Sequence, residues 1–197
     1  PRLDYCRHGG SGGSERLDEL VRDLPSRRPP AADVLAPGTY HLLLVEAPDV
    51  PADELRSAIR WRIKDLIDFH VDDAVIDVFQ MPAQGRGGLN KMMYAVAVRA
   101  ELVRAEIDAV EHAGLNLDVV DIAELALRNV ARLLEEGDRG VALLYTSDEH
   151  SVLLIVRDGV LYLTRRIETG LAALEAADGL RSELVAGLAL ETRRSLD

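Results

Sequence analysis

Apolar positions along the chain fall into runs of two kinds, one recurring at three and four residues and the other alternating or continuous, and their succession predicts the elements. Leu17, Leu20, Val21 and Leu24 repeat at helical spacing between a Gly/Ser piece, "HGGSGGS", and a Pro-rich one, "PSRRPPAAD". From Val34 the texture changes. "VLAPGTYHLLLVEAP" reads as a strand end, a Pro37-Gly38 turn and a second, continuously apolar strand bounded by Pro48. Pro51 suits a first helical turn, where its missing N–H costs nothing, and Asp53 and Glu54 suit the positive end of the helix dipole. A helix is therefore predicted from Pro51 to Ile67, with Leu55, Ile59, Ile63 and Leu66 as its buried stripe and Trp61 at the core edge. Arg56, Arg60 and Lys64 form a second row on it at spacing four.

Two strands follow, "AVIDVFQMP" and "KMMYAVAVRA", joined by the Gly-rich turn "AQGRGGLN". "ELVRAEIDAVEHAG" returns to helical spacing and Gly114 supplies a left-handed stop. "LDVVDI" is one more strand, and "AELALRNVARLLEE" a helix with Leu127, Val130 and Leu134 expected to face inward. Next, "VALLY", "SVLLIV" and "VLYLTRRI" predict a three-stranded antiparallel meander, its second turn marked by Asp158-Gly159. A helix from Leu171 and another ending in "LALETRRSLD" close the chain. The predicted class is α/β of the α+β kind, with a strand–helix–strand–strand–helix module over Thr39–Gly114.

Composition narrows the function classes. A chain of 197 residues, 48% hydrophobic and 29% charged, can bury a real core and is not a solvated tail. No run of about 18 apolar residues occurs, so no membrane insertion is expected. The single cysteine, Cys6, excludes an internal disulfide framework. The opening "PRLDYCRHGG" has neither a leader pattern nor an initiator Met, and Pro1 is expected not to be a mature terminus. A net charge of −11 sets the field against phosphate backbones and anionic lipid, so no nucleic-acid partner is expected.

Candidate chemistry is sparse. The glycines of "HGGSGGS" lack the Lys-Ser/Thr of a phosphate loop, and no G-x-S-x-G or G-x-G-x-x-G motif occurs. His8, His41, His70, His112 and His150 are scattered, with no i,i+4 pair and no cysteine pair, so no zinc signature exists. Asp72-Asp73 and Glu135-Glu136 flank helices, where dipole and solvent account for them. No catalytic, cofactor-binding or metal residue is predicted, although spacing cannot find acids that folding brings together. The basic row reads either as a solvated flank whose stems cover apolar surface or as a partner-binding ridge. On the second reading, Arg60 and Lys64 are the candidate contacts to an acidic or backbone-rich partner surface.

The segments "LAPGTYHLLLVEAPDVPADELRSAIRWRIKDLIDFHVDDAVIDVFQMP", "AGLNLDVVDIAELALRNVARLL", "RDGVLYLTRRIETG" and "ETRRSLD" together resemble the MshI family, biogenesis proteins of mannose-sensitive haemagglutinin-type (MSHA) pili. That family is a PilM-like branch of the actin-like ATPase superfamily, and the resemblance runs from about Leu35 to Asp197. It implies an incomplete actin-like (ribonuclease H-like) fold. Residues 1–38 would be the remainder of the first-lobe core, 39–116 an inserted α+β subdomain, 117–138 the return strand and helix, and 139–197 a truncated second lobe. It further implies a cytoplasmic scaffold on the inner face of the bacterial inner membrane. Such a scaffold would bind the cytoplasmic tail of a bitopic pilus assembly protein in a groove beside the inserted module, and couple it to the assembly ATPase.

Nucleotide-binding relatives carry Asp-x-Gly turns, and the resemblance puts one at "LLYTSDEHSV", with Tyr145 at the aspartate and Ser147 at the glycine. Tyrosine is no hard-cation ligand, and a side chain at the glycine blocks close approach to phosphate. Asp148 and Glu149 are either displaced ligands or ordinary solvated turn residues. The other nucleotide motifs would precede Pro1 or follow Asp197, so no cofactor is expected on this chain. Two further readings stay open: an ATP-binding nucleotidase whose missing motifs lie elsewhere, and the actin-like cytoplasmic domain of a type II secretion protein.

Overall fold

The computed structural model describes residue 21 and residues 28–81, 91–177 and 181–194. Apart from Val21, the helix expected around Leu17 to Leu24 lies outside the described residues, as do Cys6, His8, the turn "AQGRGGLN" and the last three residues. The chain divides into two compact units, one of residues 1–79 and 93–122, the other of 80–92 and 123–197.

In the first unit, β1 (Pro30–Leu35) pairs in parallel with β5 (Asn116–Ile122), from Pro30 opposite Asn116 to Leu35 opposite Ile122. The Pro37-Gly38 turn follows, with Gly38 at φ 91° and the Thr39 N–H and hydroxyl both donating to Ala36 O. It delivers the chain to β2 (Tyr40–Glu46) of a different sheet, ordered β2, β4 (Met92–Arg99), β3 (Ala74–Gln80). Helix α1 (Leu55–Ile63) lays Ile59 and Ile63, both fully buried, against Met93, Ala95 and Ala97 of β4 and Val45 of β2. Those small residues on β4 let the helix approach closely. Helix α2 (Ala100–His112) runs from β4 toward β5 and stops at Gly114, φ 82°, as its sequence predicts.

The first helix is shorter than its sequence suggests. Pro51 starts a turn closed by Glu54 N–H to Pro51 O, and the helix proper begins at Leu55. After Ile63 a tight turn, Leu66 N–H to Ile63 O, ends it. Ile67, Phe69 and Val71 then pack on the core at spacing two from a bent, non-helical stretch, a spacing that a helix does not satisfy. Leu66 is consequently 56% exposed, and Trp61 is 73% exposed where a core-edge position was expected. A 3₁₀ turn at Val71–Asp73 leads into β3.

The second unit is built on the meander β6 (Val141–Thr146), β7 (Ser151–Arg157), β8 (Val160–Ile167), antiparallel throughout as predicted. Asp158 (φ 54°) and Gly159 (φ 69°) both sit in the left-handed region that a two-residue hairpin requires. The central strand is buried on both faces, with Leu153, Leu154 and Val156 at 1% exposure or less. Helix α3 (Ala123–Arg132) packs across β7 through the fully buried Ala131 and the half-buried Leu127. It ends at Arg132; Val130, within its last turn, and Leu134, beyond its end, both face solvent and not the core as expected. The Glu135 carboxylate instead accepts from the Gly159 N–H at 3.1 Å. Helices α4 (Leu171–Ala176) and α5 (Arg181–Arg194) complete the unit.

Candidate functional site

Where α1 ends, the turn and bend of residues 64–70 form the wall of an open groove of about 800 Å³. Arg60, Trp61 and Lys64 line it from the helix, and Ile67, Phe69 and Val71 supply its apolar floor. Both residues that the sequence singles out are here, in different circumstances. The half-buried Arg60 guanidinium donates to Val71 O and, at 3.4 Å, to Ala74 O, so it cross-links the wall to the helix through backbone carbonyls. Lys64 is exposed, its ammonium 5.6 Å from the Trp61 ring centre. Of the remaining row, Arg56 pairs with Asp77 on β3 at 3.0 Å, both well exposed.

A network invisible in the sequence holds the wall at Asp68 and Phe69, which also line the groove. His41 Nε2 lies 2.7 Å from Asp68 Oδ1, and Arg99 Nη2 donates to Asp68 Oδ2 at 3.4 Å. The Arg99 guanidinium also stacks 4.5 Å from the Phe69 ring centre, and the His41 ring lies 5.6 Å from it. The hydrogen bond from His41, helped by the charge of Arg99, holds the Asp68 carboxyl below its ordinary range. Asp65 has no ion-pair partner among the described residues, and His70 and Asp72 are a loose exposed pair at 3.6 Å. No local motif could reveal these contacts, because folding brings together residues 27 and 31 positions apart.

The turn at Ser147–His150 in the second unit is the other place the sequence marks. Ser147 Oγ donates to His150 O at 2.8 Å and accepts from the His150 N–H at 3.2 Å, closing the turn on itself. The first amides of α4 are already used: Leu171 N–H donates to Ser147 O at 2.8 Å and Ala172 N–H to Asp148 O at 3.0 Å. Gly170 allows this by lying flat on the turn's backbone, where a Cβ would come within 2.3 Å of Asp148 O. Beneath it, the fully buried Ser151 donates to Thr169 O at 2.6 Å. Tyr145 is 47% exposed on β6. Among the described residues no three His, Cys, Asp or Glu side chains converge as a metal site, and no helix is long and apolar enough to cross a membrane.

Over residues 18–175 the sequence matches the family described as Type IV pilus assembly protein PilM. The chain belongs to the PilM family. Its mixed α/β architecture is that of the actin-like PilM and EpsL folds. Among solved structures it is similar to a chain of the "PilM-PilN type IV pilus biogenesis complex", with TM-score 0.72 and 25% identity over 93% of this chain and 62% of that one. It also shares the fold of the cytoplasmic domain of EpsL, an inner membrane component of the type II secretion system of Vibrio cholerae. There the TM-score is 0.55 and the identity 18%, over 85% of this chain and 62% of that one. The chain thus spans less than two thirds of the length of either structure. No curated protein is significantly similar to it.

Proposed function

We propose that this PilM-family chain is a non-catalytic scaffold of a type IV pilus assembly machine of the MSHA (MshI) kind. It works at the cytoplasmic face of the inner membrane, where it binds the cytoplasmic tail of an inner-membrane assembly protein and passes force or position to the assembly ATPase. The observation that carries the reading is the likeness to a PilM chain solved in complex with PilN, at 25% identity over nearly the whole chain. The likeness to the cytoplasmic domain of an inner-membrane secretion component fits the same placement.

The absence of catalysis is supported by the Ser147–His150 turn. A phosphate needs free backbone amides at a helix N-terminus or glycine turn. Here those of Leu171 and Ala172 are engaged by the turn's own carbonyls, and the resemblance assigns Tyr145 and Ser147 to positions where nucleotide-binding relatives carry an acid and a glycine. Calorimetric titration of the full-length protein tests both halves. A synthetic cytoplasmic tail of the membrane partner should bind with a dissociation constant in the range of roughly micromolar, about −8 kcal/mol, and Mg·ATP should give no saturable heat. Micromolar ATP binding would replace the scaffold with a nucleotidase, and a tail that gives no heat would remove the docking role.

A further inference from the structure

The three-stranded sheet of the first unit has two edges, and its sequence treats them differently. The order β2, β4, β3 leaves one side of β2 and one side of β3 with no strand against it among the described residues. Such an edge presents a row of backbone N–H and C=O groups, and soluble proteins guard it with a charge, a proline or a bulge. Strand β3 is guarded: Asp77 stands at the centre of Ala74–Gln80, 70% exposed, with Arg56 reaching it at 3.0 Å. Strand β2, "YHLLLVE", has neither lysine, arginine nor proline, and its one carboxylate, Glu46, is its last residue. Leu43 and Val45 pack on the α1 side of the sheet, so Leu42 and Leu44 point to the other side, where Leu44 is left 51% exposed.

We propose that β2 is a self-association edge that takes β2 of a second copy of this chain, antiparallel, so that two three-stranded sheets join into one. The strand is close to its own complement about Leu43. In an isologous pairing, residues of the same face meet, which sets Leu43 against Leu43, Leu42 against Leu44 and His41 against Val45 of the second copy. Aliphatic side chains so placed support one another across the seam. The two Glu46 carboxylates fall at opposite ends of it, roughly 20 Å apart, so charge does not oppose the pairing. The same operation on β3 sets Asp77 against Asp77, like charges directly opposite, which is destabilising. Charge therefore selects the edge. The two-fold axis passes through the sheet, so both α1 helices lie on one face of the joined sheet. A seam of one strand pair belongs to the weak, concentration-dependent class of interfaces. The proposal stands independently of the scaffold reading above.

Sedimentation velocity of the full chain tests the proposal, from about 5 to about 300 μM protein and at about 0.15 M salt, where the −11 charges of two copies are screened. The weight-average sedimentation coefficient should climb toward that of a dimer as concentration rises. Leu44→Lys puts a guard on β2 and should weaken association about tenfold or more. Val75→Lys, at a comparably exposed residue on the same face of β3, should leave it unchanged. Cysteines test the register, and they decide the matter even if Leu44→Lys loses its fold. In a Cys6→Ser background, chains carrying Leu42→Cys mixed with chains carrying Leu44→Cys should form a mixed disulfide under mild oxidation, because these positions face each other across the seam. Leu42→Cys mixed with Val75→Cys should not. A chain that stays monomeric at the highest concentration overturns the proposal, and so does association that survives Leu44→Lys or falls equally with Val75→Lys. Cross-linking absent from the first mixture, or equal in both, overturns it as well.

Discussion

Gly170→Ala isolates the contact that seals the Ser147–His150 turn. At φ −112° and ψ 179° the backbone suits any residue, so the whole effect comes from the added methyl. That methyl would lie 2.3 Å from Asp148 O, 2.4 Å from Glu149 C and 2.6 Å from Asp148 C, all backbone atoms that no rotamer can move. Restoring an ordinary contact means parting the turn from α4 by about 1 Å. A shift of that size stretches the 2.8 and 3.0 Å bonds from Leu171 and Ala172 beyond hydrogen-bond range. Two lost bonds at about 1 kcal/mol each, plus about 1–2 kcal/mol of overpacking, give a cost of roughly 3–4 kcal/mol. Against a typical domain stability of about 5–15 kcal/mol, that moves a urea midpoint plainly. Gly187→Ala, inside α5 with no atom within 4 Å of its would-be Cβ, is the control and should stabilise by up to about 1 kcal/mol. A Gly170→Ala protein within about 0.5 kcal/mol of the parent would show that the turn and α4 are not sealed together.

Ile63→Ala should cost about 2–5 kcal/mol in the same assay, whereas Trp61→Ala should stay within about 0.5 kcal/mol, since one is fully buried and the other 73% exposed. Arg60→Lys should destabilise by roughly 1–2 kcal/mol, because an ammonium cannot span the carbonyls of Val71 and Ala74 as the guanidinium fork does; an unchanged midpoint would count against the cross-link. The Asp68 carboxyl, followed by carbon NMR, should titrate below its ordinary value of 3.8, and His41→Gln should bring it back toward that value. Because its pKa is depressed in the fold, its contribution to stability is present above that ordinary value and is lost as pH falls through the folded pKa, so the window lies in acid, below about pH 4.

Local chemistry was readable wherever one stretch of chain decides the outcome. Asp158-Gly159 specified its hairpin, Gly114 its helix stop, and the apolar run from Ser151 to Val156 its central strand, because each needs only its neighbours. The end of α1 was not readable. Ile63, Leu66 and Ile67 keep helical spacing, and the decision to leave the helix comes from the places that Phe69 and Val71 find on the core, a tertiary effect that outweighs propensity. Trp61 was misplaced for the same reason, since two buried isoleucines already fill the space over β4. Arg60 and Lys64 were singled out together as one ridge. Only the folded wall separates a guanidinium committed to backbone from an ammonium resting on an indole. Leu134 read as core because periodicity cannot see the helix ending at Arg132 and Glu135 turning to Gly159.

The parallel pairing of β1 with β5 has a consequence for how the molecule is made. Pro30 meets Asn116, so this ladder can close only after the whole of β2 to α2 has been synthesised and collapsed. The meander β6 to β8 closes through two short turns and needs no such delay. Loop-closure entropy therefore orders the events, local hairpins early and the long-range ladder late. On the ribosome β1 emerges well before β5, and must wait for it. Until β5 arrives, β1 is open to chaperone capture or wrong pairing.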